Sequence, residues 1–433
     1  MAYKFENAQE GYQSNLALFH PKPVDTGIEN IQWIEYRPVS QLSHGSFIEF
    51  NVPPTSMEYL DLRRTRLHVK ARIVKSDGSP VTPTDKVAFV NLPLQSMWRQ
   101  VDCTINQVNV SPTTSTFYAH KAILQCLIKH SEDSLESQLQ TQGYYKDTAG
   151  FMDSTDPLLG GNFGLSQRFL WTKDGHSMDM EGQLHCDIMM QDRLVLNGVQ
   201  LNIKLFPSSS EFLLMAETND YKVEITDAVL KVCQVKINPG IILGHASALN
   251  SGNAIYPFIR SNIKTFSVAA GLQSFSSDDV WQGEIPTRVI VAMTSSAAFN
   301  GSINKNPFNF EHMNANFIAL YVDGESRPTT PLQPNYKTNN YIAEYNTLFS
   351  GTGKETRNAG NYISKEEYSN GYAIYILDQD SNHSKDYVSL SRRGHTRLVI
   401  RFQEPLAEPI CVIAYAQFYA NFQLDKTRNV ILN

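Results

Sequence analysis

Thr65-Arg66-Leu67-His68-Val69-Lys70-Ala71-Arg72-Ile73 is the stretch that decides the class of this fold. Thr65, Leu67, Val69, Ala71 and Ile73 occupy one phase of a two-residue period, and Arg66, His68, Lys70 and Arg72 the other. Successive side chains of a strand point to opposite faces, so the segment reads as a strand with one face in a core and one in water. The same period recurs along the chain. Val199, Leu201, Ile203 and Leu205 alternate with Gln200, Asn202 and Lys204, and Val223 and Ile225 stay in phase with Val229, Cys233, Val235 and Ile237. The longest run is Ile410, Val412, Ala414, Ala416, Phe418, Ala420, Phe422 and Leu424. Shorter runs fall at 48–52, 184–190, 289–293, 318–322 and 396–402. A one-sided strand needs a facing sheet to cover its apolar side, so the class is all-β and layered.

Helical periodicity appears twice. Ala119, Ala122, Ile123, Cys126 and Leu127 share a face in 117–130, and Tyr341, Ile342, Tyr345, Leu348 and Phe349 share one in 341–349. Each reads as a short helix packed over a sheet edge. The first follows Val110-Ser111-Pro112-Thr113-Thr114, and the second follows Ser326-Arg327-Pro328-Thr329-Thr330. Pro112 and Pro328 are 216 positions apart, half the chain, and further strands follow each helix, which points to an internal duplication. The reading is two tandem eight-stranded jelly rolls, each with a short inserted helix. The boundary is placed in 239–253, where Pro239-Gly240 stops a long strand and a short helix is expected at 245–249. The first roll is then 31–238 and the second 254–424, with weakly patterned ends at 1–30 and 425–433. Residues 153–164 read as a surface loop.

Composition narrows the function. Of 433 residues, 42% are hydrophobic, 11% aromatic and only 18% charged, which excludes a disordered chain and disfavours long helical arrays. The net charge of −6 gives no general support for coating nucleic acid. Cys103, Cys126, Cys186, Cys233 and Cys411 are scattered and never form C-x-x-C, so they read as buried free thiols in a reducing compartment rather than disulfides or zinc ligands. The opening residues MAYKFENAQEGYQ lack the apolar core of a signal peptide, and no run approaches 18 apolar residues, so neither a leader nor a transmembrane helix is expected.

Motifs that would carry chemistry fail on inspection. Ser350-Gly351-Thr352-Gly353-Lys354-Glu355 resembles a phosphate loop, but Leu348 stands where its first Gly belongs and Glu355 where its Ser or Thr belongs. Asp378, Asp380 and Asn382 begin like a calcium loop, but His383 replaces the turn Gly and Ser389 the final Glu. No nucleophile elbow and no paired His motif is present, so no catalytic residue, metal ligand or cofactor is expected. A Cys-His pair or two glycosidase carboxylates, distant in sequence, would not be visible this way. The candidate contact residues are Arg64, Arg66, His68, Lys70 and Arg72, a basic stripe on one strand face, with Arg63 beside them. It reads either as a solvated face paired with acidic strands or a subunit neighbour, or as a local contact with nucleic acid. Tyr415 and Tyr419 lie on the polar phase of the longest strand, which suggests a second packed surface: an oligomer interface or a covering segment.

Several segments in a fixed order carry a resemblance. They are Gln32-Trp33-Ile34-Glu35-Tyr36-Arg37-Pro38-Val39, Tyr144-Tyr145-Lys146-Asp147-Thr148-Ala149-Gly150, Phe299-Asn300-Gly301-Ser302, Asn306-Pro307-Phe308-Asn309-Phe310, Leu348-Phe349-Ser350-Gly351-Thr352-Gly353 and Asn429-Val430-Ile431. With these the chain resembles, over nearly its whole length, the double jelly-roll major capsid proteins (hexons) of Polinton/Maverick elements and adintoviruses. The resemblance implies a homotrimer of pseudo-hexameric outline that tiles an icosahedral shell around a DNA genome. It implies a virion location after synthesis in the host cytoplasm, with assembly there or in the nucleus. It implies a minor capsid or vertex protein as partner, loose contact with packaged double-stranded DNA, ends 1–30 and 425–433 acting as arms, and loops 131–170 and 348–370 on the trimer top or against neighbours. Two other classes compete. A β-sandwich carbohydrate-binding protein or glycosidase would carry an acidic cleft with aromatic platforms and usually a secretion signal. A vertex or spike protein of the same lineage is typically a single jelly roll, which the duplicated length opposes.

Overall fold

The computed structural model describes residues 14–16, 18–19, 21, 24–43, 45–111, 115–380 and 392–432. Within the first half, eight strands form two facing four-stranded sheets. They are β1 (Ile28–Tyr36), β2 (Ile48–Val52), β3 (Glu58–Lys75), β4 (Trp98–Ile105), β5 (Val108–Asn109), β6 (Met178–Gly182), β7 (Leu201–Pro207) and β8 (Tyr221–Ile237). One sheet runs β1-β8-β3-β6 and the other β2-β7-β4-β5. The second half supplies β9 (Ala254–Val268), β10 (Ser274–Asp278), β11 (Arg288–Ser295), β12 (Ala315–Val322), β13 (Glu325–Leu332), β14 (Ile374–Asp378), β15 (Thr396–Phe402) and β16 (Ile410–Leu424). Its sheets run β9-β16-β11-β14 and β10-β15-β12-β13, so adding eight to each label of the first half reproduces the second. All these pairs are antiparallel. The fold is all-β, a double jelly roll. A last strand, β17 (Val430–Leu432), folds back on the end of β16, and Val87–Phe89 pairs with Leu214–Ala216 as a separate ribbon.

The helices expected in each half are present at matching places. Helix α1 (Tyr118–Lys129) lies between β5 and β6; α2 (Phe163–Thr172) follows in the same connection; α3 (Pro239–Ala248) joins the halves; α4 (Ile342–Ser350) lies between β13 and β14. The Pro112–Thr114 part of the repeated signature lies outside the described residues. Its second copy, Ser326–Thr330, forms part of strand β13.

Several expectations are corrected. Residues 184–190 form no ladder: the strand is β6, just upstream, and Asp187–Met190 is a 3-10 turn that the Asp187 side chain anchors to Ser261 of β9. Val229 does not stay in phase with Val223. Register shifts flank Thr226 and Val232, so Ala228 and Leu230 oppose the inward Val69 and Leu67, while Val229 opposes His68. Pro239-Gly240 starts a helix instead of only ending a strand, because Asn238 Oδ1 accepts the Gly240 N–H and Pro is suited to the first helical turn. Residues 153–164 are only partly loop, since α2 begins at Phe163 with Asn162 as its cap.

The two rolls share their cores. Tyr256, Phe422 and Leu424, from the second half, belong to the core of the first. Conversely, α1 and α2 contribute Ala122, Ile123, Leu127, Leu165 and Phe169 to the core of the second. Helix α1 is therefore not a one-sided helix over a sheet edge: every residue from Tyr118 to Ile128 is buried. It is a wedge between the rolls.

Candidate assembly surfaces and the junction between the rolls

The basic stripe sits on β3, on the outer face of β1-β8-β3-β6. Acidic side chains of the neighbouring strands lie close to it. Arg66 Nη1 lies 3.5 Å from Glu181 Oε1, His68 Nε2 2.6 Å from Asp179 Oδ1, and Arg72 Nε 2.8 Å from Glu224 Oε2. Arg64 lies 3.5 Å from Asp61, and Arg63 pairs with Asp192. Lys70 stands opposite Asp227, whose carboxylate also accepts from Arg37 at 2.8 Å. Glu181 receives Lys231 as well, at 2.6 Å, and although partial burial would raise its carboxyl, the bonds and charges of Lys231 and Arg66 hold it below its ordinary range. Arg66, His68 and Arg72 are thus cross-paired within their own sheet. Such half-exposed pairs contribute at most about 1 kcal/mol each.

Tyr415 and Tyr419 part company. Tyr415 is fully buried, and α1 lies against it. Gln125 Nε2 donates to Tyr415 Oη at 2.9 Å, Gln417 Nε2 donates to it at 3.1 Å, and Ser261 Oγ lies 3.1 Å away. Tyr419 stays half-buried near the surface and donates to Asp380 Oδ2 at 2.7 Å.

Tyr415 belongs to a buried polar network that periodicity did not reveal. Lys121 Nζ meets Asp187 Oδ1 at 2.6 Å with both side chains buried, and Asp187 also accepts the N–H and the hydroxyl of Ser261 at 2.7 and 2.8 Å. Burial alone would lower the Lys121 ammonium; the Asp187 carboxylate outweighs it and holds Lys121 above its usual range. His185 Nδ1 meets Gln125 Oε1 at 2.9 Å, and burial, helped by Lys129 and Lys121, pushes that imidazole down to about 3. The Cys126 sulfur lies 3.8 Å from His185 Nε2, yet burial pushes the thiol up to about 12. At neutral pH this is a protonated thiol beside a neutral ring, the reverse of an activated Cys-His pair. A second buried pair, Arg168–Asp147 at 2.5 Å, ties α2 to Tyr145, Phe89 and, through Asp147, to Asn306 of the second half. A lone Arg among apolar helix residues was the available sign of this site.

The remaining motifs resolve as turns. Residues 350–355 end α4, and Lys354 Nζ donates to Asn361 Oδ1 at 2.5 Å. Asp378 ends β14, while Asn382, His383 and Ser389 of the calcium-like loop lie outside the described residues. The five cysteines are free and buried. Among the described residues no helix is long and apolar enough to cross a membrane.

Two exposed apolar surfaces stand out. On α2 and the loop before it, Phe163, Leu170 and Trp171 share an outward face, with Phe151, Leu158 and Leu159 (87% exposed) nearby; the Phe151 ring packs at Gly161. On α3, no residue is buried although the helix carries Ile241, Ile242 and Leu243.

Comparison places this geometry among known folds. No protein-family profile matches the chain. It is 24% identical over 429 residues to the uncharacterized protein F54H12.2 of Caenorhabditis elegans, covering 94% of this chain and 98% of that one. The cryo-EM structure of the Sputnik virophage is similar at a TM-score of 0.63 and 13% identity, over 99% of this chain and 93% of that one. The mavirus major capsid protein is similar at a TM-score of 0.55 and 12% identity, over 100% and 97%. The Faustovirus major capsid protein is similar at 0.55 and 8%, over 94% and 92%.

Proposed function

We propose that this chain is a major capsid protein of the Polinton/Maverick and adintovirus kind, the repeating unit of a virion shell around double-stranded DNA. The observation that carries the reading is the strand-for-strand repeat of one jelly roll within one chain. Two like rolls per chain allow three chains to present six like units, so a trimer fills a near-hexagonal tile. End-to-end likeness to the Sputnik virophage structure and to the mavirus and Faustovirus major capsid proteins supports it. The apolar outer face of α2 is the candidate contact between chains. Six side chains at roughly 100 Å² each approach the ~800 Å² that one partner gives to a standard interface. Weak contacts repeated between trimers then supply avidity across the lattice. Residues 31–238 and 254–424 act as the two rolls and 239–253 as their linker. The ends 1–30 and 425–433 serve as arms; from its docked position the latter offers Ile431 and Leu432 to a neighbour. A minor vertex protein completes the shell, and any contact of the basic stripe with the genome is local.

Light scattering with negative-stain microscopy tests this. Three chains of 48.8 kDa make about 146 kDa, seen as a triangular to hexagonal particle. A folded chain that stays monomeric at every concentration, with no shells when expressed with its partner vertex protein, would sink the proposal.

A further inference from the structure

A helix that is apolar all round belongs in a core. Helix α3 carries only His245 and Ser247 as polar residues, yet none of its residues is buried. Beside it runs an open groove of about 590 Å³, between the start of β1 and the start of β9, walled by Ile28, Ile237, Ile241, Leu249, Ile255 and Tyr256. The polar groups of this wall are already matched. Tyr59 Oη lies 2.9 Å from His245 Nδ1, the Tyr256 hydroxyl accepts the Leu196 N–H at 3.2 Å, and Arg193 Nη1 donates to the Ile255 carbonyl at 2.6 Å. The groove therefore offers shape and apolar surface, and a polar ligand that entered it would lose more to desolvation than it gained.

The N-terminal segment is rooted in this groove. The Gly27 carbonyl accepts the Asn238 N–H at 3.0 Å, where α3 begins, and a Cβ on Gly27 would come within 3.2 Å of the Ile241 side chain. Upstream of that root, Leu16, Leu18, Phe19 and Val24 project into solvent, Phe19 at 91% exposed. Phe19 stands eight positions before Gly27, an extended reach of about 26 Å, but its ring does not fill the groove of its own chain. One chain thus carries an unfilled apolar groove and an unpartnered apolar segment. Groove and segment are different surfaces, so pairing them between copies makes a head-to-tail contact, which closes into a ring when the rotation per copy allows it.

We propose that the groove beside α3 is the docking site for Leu18 and Phe19 of a second copy of this chain, with the Phe19 ring seated between Ile241 and Ile255. The contact removes from water side chains that the single chain leaves exposed on both surfaces. It rests on the assembly reading above and names where one arm lands.

Cross-linking between two full-length variants tests this, since the five native thiols are buried. A chain with Leu16→Cys is mixed with one bearing Leu243→Cys, at the exposed face of α3, and treated with a short bismaleimide. A linked pair of the two variants is expected on a denaturing gel. Adding Phe19→Asp to the first chain should cut its yield by about tenfold, the factor that one buried apolar side chain supplies. Ala248→Trp in the second chain, which fills the groove, should abolish it. Phe19 is exposed in the single chain, so Phe19→Asp decides even if Ala248→Trp does not fold. No linked pair would overturn the site, as would a yield that survives Phe19→Asp, or a link formed only within a chain carrying both cysteines. Trimers in light scattering without the link would overturn the docking and leave the capsid reading standing. Linked chains that build no shell would support the docking and count against that reading.

Discussion

Strands β3 and β11 hold the same place in the two rolls, third in the sheets β1-β8-β3-β6 and β9-β16-β11-β14, yet they look nothing alike. From Thr65 to Lys75, β3 alternates buried and half-exposed or exposed residues almost throughout, and its outer face carries the basic stripe. In β11, every residue from Val289 to Ser295 is buried, and the run Val289-Ile290-Val291-Ala292-Met293 shows no alternation. The ladder is the same; the surroundings differ. The outer face of the first sheet meets water and neutralises its own charges, while that of the second meets α1 from the first roll. A sheet covered on both faces reads as a continuous apolar run, and one covered on a single face alternates.

Acid should break this comparison most strongly. His185 and His120, both in the junction, are held down to about 3 and about 4, whereas an unfolded histidine titrates near 6.5. The unfolded chain therefore binds these protons first. Their contribution is complete above about pH 6.5 and is lost as pH falls toward 4, on the order of 3 kcal/mol apiece. Hydrogen exchange at pH 4.5 should accelerate in β11 and β16 before β3; uniform acceleration would mean that the junction is not the acid-sensitive element. Next in size is Asp187→Ala, which strands the buried Lys121 ammonium and should cost about 3–5 kcal/mol in urea unfolding. A loss below ~1 kcal/mol would show that water already reaches the pair.

Smaller effects test the exposed faces. Phe163→Ser with Trp171→Ser should leave the unfolding midpoint within ~1 kcal/mol of the parent chain and shift light scattering from trimer toward monomer; an unchanged trimer would move the contact elsewhere. The other exposed face is tested by Arg66→Glu with Arg72→Glu. Because these charges are satisfied within their own sheet, stability should fall by no more than about 1–2 kcal/mol. A defect in particle formation beyond that loss would give the stripe a role between subunits, and normal particles would retire it.

What was legible in the sequence follows from the same contrast. Strand β3, the two inserted helices and the repeat could be read because periodicity and turn residues report on local structure. Tyr415 could not be placed, because its polar phase is the signature both of a wet face and of a face covered by a polar helix side. Lys121, Gln125 and His185 looked unremarkable singly; only the folded chain brings positions 121, 187, 261 and 415 together. The 184–190 error has a related origin: alternation there reflects burial on two sides of a turn, with Asp187 fixing the backbone through Ser261.

The shared cores also impose an order on folding. Phe422 and Leu424 sit in the core of the first roll, and Arg428 binds the Asn197 carbonyl at 2.7 Å while its own carbonyl receives Asn106 Nδ2 at 2.6 Å. A growing chain that has exposed only its first half therefore cannot finish the roll it has begun. That half stays open at one end until the end of β16 arrives to close it.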